Sequence, residues 1–166
     1  MRLFIAIDFN ELKDYFLELQ QLLPKNAKLS FTKTFHLTLK FLGEVQPDKA
    51  EIIVNILKKI EFQKFYVFLD SIGIFPTENY IRVVWVSIKP EDKILELQKG
   101  IDGSLSKLFK KEKYFKAHIT LARVKYPEDK KSFAEQIKNI KVENNKTNIK
   151  DFRLIKSTLN PKGPVY

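Results

Sequence analysis

The sequence predicts an α+β fold in which two similar lobes, related by a pseudo-twofold axis, share one cleft. One observation behind this prediction is that the order strand, helix, histidine-containing strand, helix and further strand occurs twice along the 166 residues. A second is that the only two histidines, His36 and His118, occupy matching places in the two repeats, 82 residues apart. No linker or low-complexity tract separates the repeats, so residues 1–166 are expected to form a single two-lobed domain.

The first repeat is predicted to hold three strands and two helices, with the strand over residues 65–75 as its last element. Residues 2–9 are an apolar run typical of a buried strand, and Asn10 is a suitable N-cap for the helix that follows. The first histidine strand spans residues 35–42. Pro47 lies at the start of the second helix, where proline is tolerated in the first turn. The apolar stripe of this helix consists of Ile52, Ile53, Ile56, Leu57 and Ile60.

A predicted β-hairpin joins the two repeats, because two β-rich runs flank the turn-type cluster at residues 76–79. A helix follows from Pro90 and carries apolar residues at helical spacing as far as Leu108, although two glycines within it weaken the pattern. A polar loop is expected at residues 144–148. The remaining predicted elements are the hairpin strands 65–75 and 80–88, the second histidine strand 115–124, a helix over 128–139 and a strand over 149–159.

The chain is strongly basic, with a net charge of +10 and a pI near 9.6. Such a charge favours polyanionic partners through the summed potential and the release of counterions. However, 26 of the 30 basic residues are lysines spread over the whole chain, and a solubilising surface explains them equally well. The charge therefore indicates a polyanionic partner only when it is joined to other evidence.

Several kinds of site are excluded or disfavoured by composition. No cysteine is present, which excludes a disulfide framework, a thiolate nucleophile and a cysteine zinc site. Two histidines without clustered acidic residues do not supply the three or four ligands of a zinc centre. The five glycines form no phosphate-binding loop. We therefore expect neither a metal nor a cofactor.

Targeting and membrane segments are not predicted. The apolar run Leu3–Ile7 is too short for the core of a signal peptide and is closed by Asp8. No stretch approaches the roughly 20 apolar residues that a membrane span needs. The sequence thus predicts a cytoplasmic protein that does not bind membranes, and by default a monomer with no obligatory protein partner.

Both histidines lie in the same four-residue frame, His36-Leu-Thr-Leu39 and His118-Ile-Thr-Leu121. In a strand, residues two apart project from one face, so each motif presents an imidazole and a hydroxyl opposite a buried apolar face. If the two strands meet, a general acid faces a general base across one small cavity. A single such motif is more often a half-buried structural pair, but two motifs that contain every histidine of the chain favour catalysis.

Longer stretches around the motifs resemble the two-histidine phosphoesterase superfamily, and most closely its RNA 2′,3′-cyclic phosphodiesterase branch, also called 2′-5′ RNA ligase. The resemblance covers essentially the whole chain. It departs from the family in the segment Lys28–Phe35, which is shorter than usual and lacks an Arg-Trp-like pair, and at Tyr166, where family members usually continue into another strand. The matching stretches are Arg2–Asp8, Phe35–Val45, Gly73–Pro76, Arg82–Trp85, Ala117–Val124 and Lys156–Pro164.

The resemblance implies two mainly antiparallel sheets that face a central cleft, with helices packed on the outside. It also implies an activity, the opening of RNA 2′,3′-cyclic phosphate ends to leave 2′-phosphomonoesters. For some members it implies ATP-independent joining of RNA ends through a 2′-5′ bond. The expected partner is therefore RNA that carries a 2′,3′-cyclic phosphate end.

The resemblance further implies residue roles. His36 would be the proton donor and His118 the proton acceptor, although pseudo-symmetry makes the two roles formally interchangeable. The hydroxyls of Thr38 and Thr120 would donate hydrogen bonds to phosphoryl oxygens. Arg123 matches a phosphate-binding position, and its planar guanidinium suits bidentate contact, although an arginine at a strand end is also compatible with surface charge.

Five further residues carry weaker expectations. Lys40 is in phase with His36 and is expected either at the cleft mouth or exposed at the strand end. Phe41 is expected in the core rather than as a platform for a base. Arg82 and Trp85 are expected to pack the hairpin, and Tyr166 is a candidate for approaching the cleft.

Two other functions remain open at this point. One is a non-catalytic module that binds RNA ends in the basic cleft, although the intact His-Thr pair in each repeat favours an enzyme. The other keeps the chemistry but applies it to small cyclic nucleotides, such as those made during tRNA splicing. Sequence alone does not separate oligonucleotide from mononucleotide substrates.

Overall fold

The computed structural model describes residues 1–77, 80–127, 129–160 and 163–165. Within these residues the chain forms four α-helices, nine strands and one 3₁₀ turn, Asn10–Leu12. The helices are α1 Lys13–Leu22, α2 Pro47–Lys58, α3 Asp92–Ser104 and α4 Lys130–Lys138. The strands are β1 Arg2–Asp8, β2 Ala27–Phe31, β3 His36–Glu44, β4 Phe65–Thr77, β5 Tyr80–Lys89, β6 Ile119–Pro127, β7 Lys146–Ile149, β8 Arg153–Asn160 and β9 Gly163–Val165.

The strands form two antiparallel halves that meet at the histidine strands. One half has the order β3-β1-β8-β9 and the other the order β6-β5-β4-β7. The halves are joined by a single antiparallel residue pair between β3 and β6, Leu37 opposite Ile119. Strand β2, which precedes β3 in the chain, pairs along the rest of β6. The succession β1-α1-β3-α2 in one lobe thus corresponds to β5-α3-β6-α4 in the other. The predicted α+β class and the antiparallel pairing are confirmed. The two expected sheets are the two halves of one continuous sheet, because the Leu37–Ile119 pair links them.

The two histidine strands carry the same irregularity at the same place. Thr38 lies opposite Ala6 and Lys40 opposite Ile5, so Leu39 is an extra residue on β3. Thr120 lies opposite Trp85 and Ala122 opposite Val84, so Leu121 is an extra residue on β6. Such a β-bulge reverses which face the following residues occupy. In each strand two consecutive residues are consequently buried, and the next residue is exposed.

The core lies on one side of the sheet halves, beneath the helices. Helix α1 contributes Phe16 and Leu19 to this core, and α2 contributes Ile53 and Leu57. Ile52, although it belongs to the predicted stripe of α2, is exposed. Phe4, Ala6 and Trp85 are also buried but lie outside the main apolar cluster. They belong to the opposite face of the strands, the face that carries the histidines.

Several predicted boundaries were wrong, one at the end of a helix and the others because of strand pairing. Helix α3 ends at Ser104, just after Gly103, and Leu105 begins a separate turn rather than the last helical turn. Residues 115–118 have no ladder partner, so β6 begins only after His118. The predicted polar loop at 144–148 contains β7, which pairs with β4, and the segment 27–31 forms β2 because β6 offers it an edge.

Helix α4 has the side-chain cap that its position requires. Asp129 accepts hydrogen bonds from the backbone N–H groups of Lys131 and Ser132. Its predicted start, Glu128, lies outside the described residues, as do Tyr166 and part of the hairpin turn. Among the helices that the structure describes, none is long and apolar enough to cross a membrane.

Candidate active site

The two histidines flank the point where the lobes meet. Leu37 and Ile119 form the pair that joins β3 to β6, and each follows a histidine directly in the chain. In an antiparallel pair this register sets His36 against Thr120 and His118 against Thr38. All four side chains are half-buried, opposite a core face that holds Leu37 and Ile119. The structure therefore brings both His-x-Thr motifs to one face at the pseudo-twofold axis.

His36 lies in a largely apolar setting on the first lobe. The ring of Phe4 is 5.0 Å from its imidazole, and Asp8 lies opposite it on β1. Burial lowers the pKa of His36; the carboxylate of Asp8 partly offsets this, and the nearby charge of His118 lowers the pKa further.

His118 is oriented by the backbone that precedes it. Its Nδ1 lies 2.8 Å from the carbonyl oxygen of Lys116. Because a carbonyl only accepts, Nδ1 carries the hydrogen and Nε2 is left for the cleft. Burial lowers the pKa of His118, the hydrogen bond to Lys116 raises it, and the positive charges of Arg123 and Lys116 lower it. A neutral imidazole with a free Nε2 lone pair is suited to accept a proton.

An aromatic pair packs against the His118 ring. Phe75 meets the imidazole edge-on at 5.0 Å and stacks at 4.6 Å on Trp85, whose ring is 6.1 Å from the same imidazole. The indole lies flat over Gly73, where an added Cβ would be 2.7 Å from the indole Cε2 carbon. Only glycine leaves room for this arrangement. Trp85 thus packs the hairpin, as predicted from the sequence, and supports His118 as well.

The bulges determine which residues after each threonine lie on the histidine face. Arg123 is exposed five residues after His118, and its charge is felt by that histidine. Phe41 is exposed five residues after His36, at 67 %, and its ring is 6.0 Å from that of Phe4. The expectation that Phe41 lies in the core was wrong, because the bulge at Leu39 returns it to the histidine face.

Lys40 occupies neither of its two expected places. The residue is 3 % exposed, and its Nζ forms a 2.6 Å ion pair with Asp102 on α3. The same bulge explains this result, since it turns residue 40 away from the cleft and toward the helix layer.

Some site residues were missed by sequence reasoning. Phe4, Asp8 and Phe75 contact or bias the histidines only through cross-strand register. For Phe4 a signal existed, because alternation along β1 places it opposite the core residues Leu3 and Ile5. Among the described residues no cluster of three or more His, Cys, Asp or Glu side chains could hold a metal ion.

This fold and this site define a two-histidine phosphoesterase. A family model described as LigT like Phosphoesterase matches the chain twice, over residues 7–85 and 86–166, so each half with its own motif matches separately. The chain belongs to the LigT-like phosphoesterase family, and the sequence-based resemblance is confirmed. The duplicated match agrees with the pseudo-twofold arrangement of the strands.

Named relatives point to one branch of this family. The chain is 40% identical over 170 residues to an RNA 2′,3′-cyclic phosphodiesterase of Methanocaldococcus jannaschii, in a match that covers 100% of this chain and 96% of that protein. It is 35% identical to the enzyme of the same name from Archaeoglobus fulgidus, with the same coverage.

Solved structures agree on the fold. A protein from Thermus thermophilus superposes with a TM-score of 0.81 at 28% identity, over 100% of this chain and 93% of its own. Escherichia coli LigT complexed with phosphate superposes with a TM-score of 0.74 at 22% identity, over 99% and 92%, and supports the fold alone.

Proposed function

We propose that this protein hydrolyses the 2′,3′-cyclic phosphate at RNA ends to a 2′-phosphomonoester, with His36 and His118 as acid and base. The observation that carries the proposal is that each histidine directly precedes a member of the Leu37–Ile119 pair that joins the lobes. The antiparallel register of this pair sets each imidazole opposite the threonine of the other motif. The names of the M. jannaschii and A. fulgidus relatives supply the substrate class.

The proposed reaction needs one proton to be taken and one to be given. His118 Nε2 accepts a proton from water as the water oxygen attacks phosphorus. The bond between phosphorus and the ribose 3′ oxygen breaks, and the His36 imidazolium donates a proton to that oxygen. The products are a 2′-phosphomonoester and a free 3′ hydroxyl. Proton exchange with solvent then returns each histidine to its starting state.

Charge on the non-bridging oxygens would be met by three groups. Thr38 and Thr120 lie on the histidine face, and Arg123 is exposed five residues after His118, whose pKa its positive charge lowers. These donors leave no step that requires a divalent ion. We therefore expect hydrolysis to need neither a metal nor another cofactor.

Phe41 and Arg123 make the two ends of the cleft chemically different. They occupy equivalent positions, five residues after each histidine, yet one is an exposed ring and the other an exposed cation. We assign the nucleoside to the Phe41 side, where a base stacks on an aromatic face, and the phosphoryl oxygens to the Arg123 side.

The same site supports an extension of the proposal to the joining of RNA ends. If the 5′ hydroxyl of a second RNA takes the place of water, the same proton transfers produce a 2′-5′ linkage without ATP. We further propose that the protein is a single-domain monomer and that it acts on RNA ends in the cytoplasm.

The test is incubation with an oligoribonucleotide that ends in a 2′,3′-cyclic phosphate, with and without EDTA, followed by ³¹P NMR of the product. We expect the 2′-phosphomonoester in both conditions. A 3′-phosphate product, or activity lost in EDTA and restored by Zn²⁺ or Mn²⁺, would overturn the mechanism. Tight binding without turnover would instead favour a module that binds RNA ends.

A further inference from the structure

A buried set of polar side chains crosses from each lobe to the histidine strand of the other. The set consists of Gln20 on α1, Gln98 and Asp102 on α3, and Lys40 on β3, all buried. We call these four residues the cross-lobe set. Buried polar groups cost free energy unless they are hydrogen-bonded, so their partners show what they hold.

The glutamines hold the two bulges. Gln20 Nε2 donates to the carbonyl oxygen of Leu121, the extra residue of β6, at 2.9 Å. Gln98 Nε2 donates to the carbonyl oxygen of Leu39, the extra residue of β3, at 3.5 Å. A bulge disrupts the ladder locally, and here a side chain from the opposite lobe donates to the carbonyl of each extra residue. The bond from Gln20 is short, and that from Gln98 is at the outer limit of hydrogen-bond distance. The bulges are also what turn Phe41 and Arg123 onto the histidine face.

Lys40 contacts the segment of the second lobe that corresponds to β2 but forms no strand. On the first lobe, β2 precedes the histidine strand and pairs with β6. The equivalent segment of the second lobe, residues 109–113, forms no strand. Instead Lys40 Nζ donates to the carbonyl oxygen of Lys110 at 2.8 Å, and Lys110 is 82 residues after Lys28 of β2, the spacing of the histidines.

Asp102 completes this link between the lobes. Its Oδ1 pairs with Lys40 Nζ at 2.6 Å, and its Oδ2 accepts from the backbone N–H of Glu112 at 2.8 Å. The ion pair therefore ties β3 to the segment that leads into His118. Gln20 does the corresponding task in the first lobe, because it also donates to the carbonyl oxygen of Thr32, ahead of His36, at 2.8 Å. Gln20 and Asp102 are again 82 residues apart.

We propose that the cross-lobe set consists of positioning residues that fix the separation of His36 and His118 and keep Phe41 and Arg123 on the cleft face. The proposal rests on the proposed function. Its physical basis is that a buried ion pair adds little net stability compared with apolar side chains of similar size, but it does specify geometry. Acid and base catalysis is sensitive to displacements of about 1 Å, which typically cost on the order of 100-fold in rate.

The main test is the double variant Lys40→Met/Asp102→Leu, which removes both buried charges. Glu112, whose carboxylate lies 3.7 Å from Lys40 Nζ, is partly exposed and remains solvated in the variant. We expect a folded protein with kcat on the cyclic-phosphate oligonucleotide reduced roughly 10- to 100-fold. Binding of 2′-AMP, measured by calorimetry, should change much less than kcat. NMR titration should show altered coupling between the two imidazoles, and Lys40→Arg, which keeps the charge, should recover part of kcat.

A control separates position from stability. Ile137→Ala, in the core face of α4 and outside the cross-lobe set, should lower Tm and leave kcat unchanged. If the double variant does not fold, Gln20→Leu tests the positioning role instead, because this substitution removes a neutral hydrogen-bond donor and no charge. A folded double variant, or a folded Gln20→Leu, with wild-type kcat and pH profile overturns this inference. Absence of cyclic-phosphate hydrolysis by the unmodified protein would overturn the proposed function instead.

Discussion

At the residue scale, the hydrogen bond from His118 Nδ1 to the Lys116 carbonyl oxygen determines which ring nitrogen faces the cleft. His36 lies in a different setting, beside the ring of Phe4 and within the field of the Asp8 carboxylate. In the proposed mechanism this difference distinguishes the two histidines of the formally symmetric pair. His118, the proposed base, has a fixed neutral tautomer, and His36, the proposed acid, lies beside an anion that favours its protonated form.

Alanine at either histidine removes one proton-transfer partner. We expect His36→Ala and His118→Ala each to lower kcat by about 10²–10⁴-fold. The double variant should be worse by less than the product of the two losses, since the residues act as a unit. Single-turnover kinetics on a cyclic-phosphate oligonucleotide measure both effects. Strictly multiplicative losses would show that the two imidazoles act independently.

Asp8→Asn tests which histidine is the acid, because the substitution should lower kcat/KM if His36 is the acid and raise it if His36 is the base. Both histidine pKa values are lowered, so the optimum of kcat/KM should lie below about 6.5, the ordinary imidazole value. Removing the Asp8 carboxylate lowers the pKa of His36 further, so less of the enzyme has His36 protonated while His118 is neutral. We expect kcat/KM to fall at every pH. A rise would mean that His36 is the base.

Phe41 and Arg123 should affect different parts of substrate recognition. Phe41→Ala removes the proposed stacking surface and should raise KM about tenfold for cyclic nucleotides, with little change for ribose cyclic phosphate that lacks a base. Arg123→Lys keeps the charge but loses the planar fork, and should lower kcat/KM about tenfold for both substrates. Equal effects of Phe41→Ala on both substrates would exclude base stacking. Phe41→Trp is the matched control and should retain the low KM.

At the element scale, the β-bulges explain why simple alternation failed at residues 40 and 41. Strict alternation places Lys40 and Ala122 on the histidine face and Arg123 on the core face. One extra residue in each strand reverses all of these assignments. The bulge depends on register with β1 and β5 and on glutamines from distant helices, none of which leaves a local pattern in the sequence.

Gly73→Ala tests how the hairpin supports the site. The new methyl group would overlap the indole of Trp85, so the ring must leave its place beside Phe75 and His118. We expect a lower Tm together with a lower kcat.

Trp85 is the only tryptophan of the chain, so a shift in fluorescence emission reports its displacement directly. Gly100→Ala, where a methyl group meets open space in α3, is the control and should raise stability slightly. Unchanged fluorescence and kcat in Gly73→Ala would contradict the supporting role of the indole.

At the scale of the whole molecule, the charge of +10 should govern the affinity for RNA more than the histidines do. We expect the logarithm of the binding constant to fall linearly with the logarithm of salt concentration, because bound lysines and arginines release counterions. The protein with both histidines changed to alanine should bind RNA with a similar slope. Fluorescence anisotropy over a salt series measures this. Loss of binding in that variant with the fold intact would place the binding energy in the catalytic pair.

The sequence by itself determined the class of fold, the duplicated order of elements and the two His-x-Thr pairs. These features are local, since strand alternation, helical spacing and a four-residue motif can be recognised without knowing what packs against them. Tertiary structure alone decided the bulges, the burial of Lys40 against Asp102, the exposure of Phe41 and the support of His118 by Trp85 over Gly73. Each of these depends on pairing between segments far apart in the chain, where register and cross-lobe contacts outweigh the local preference of the residue.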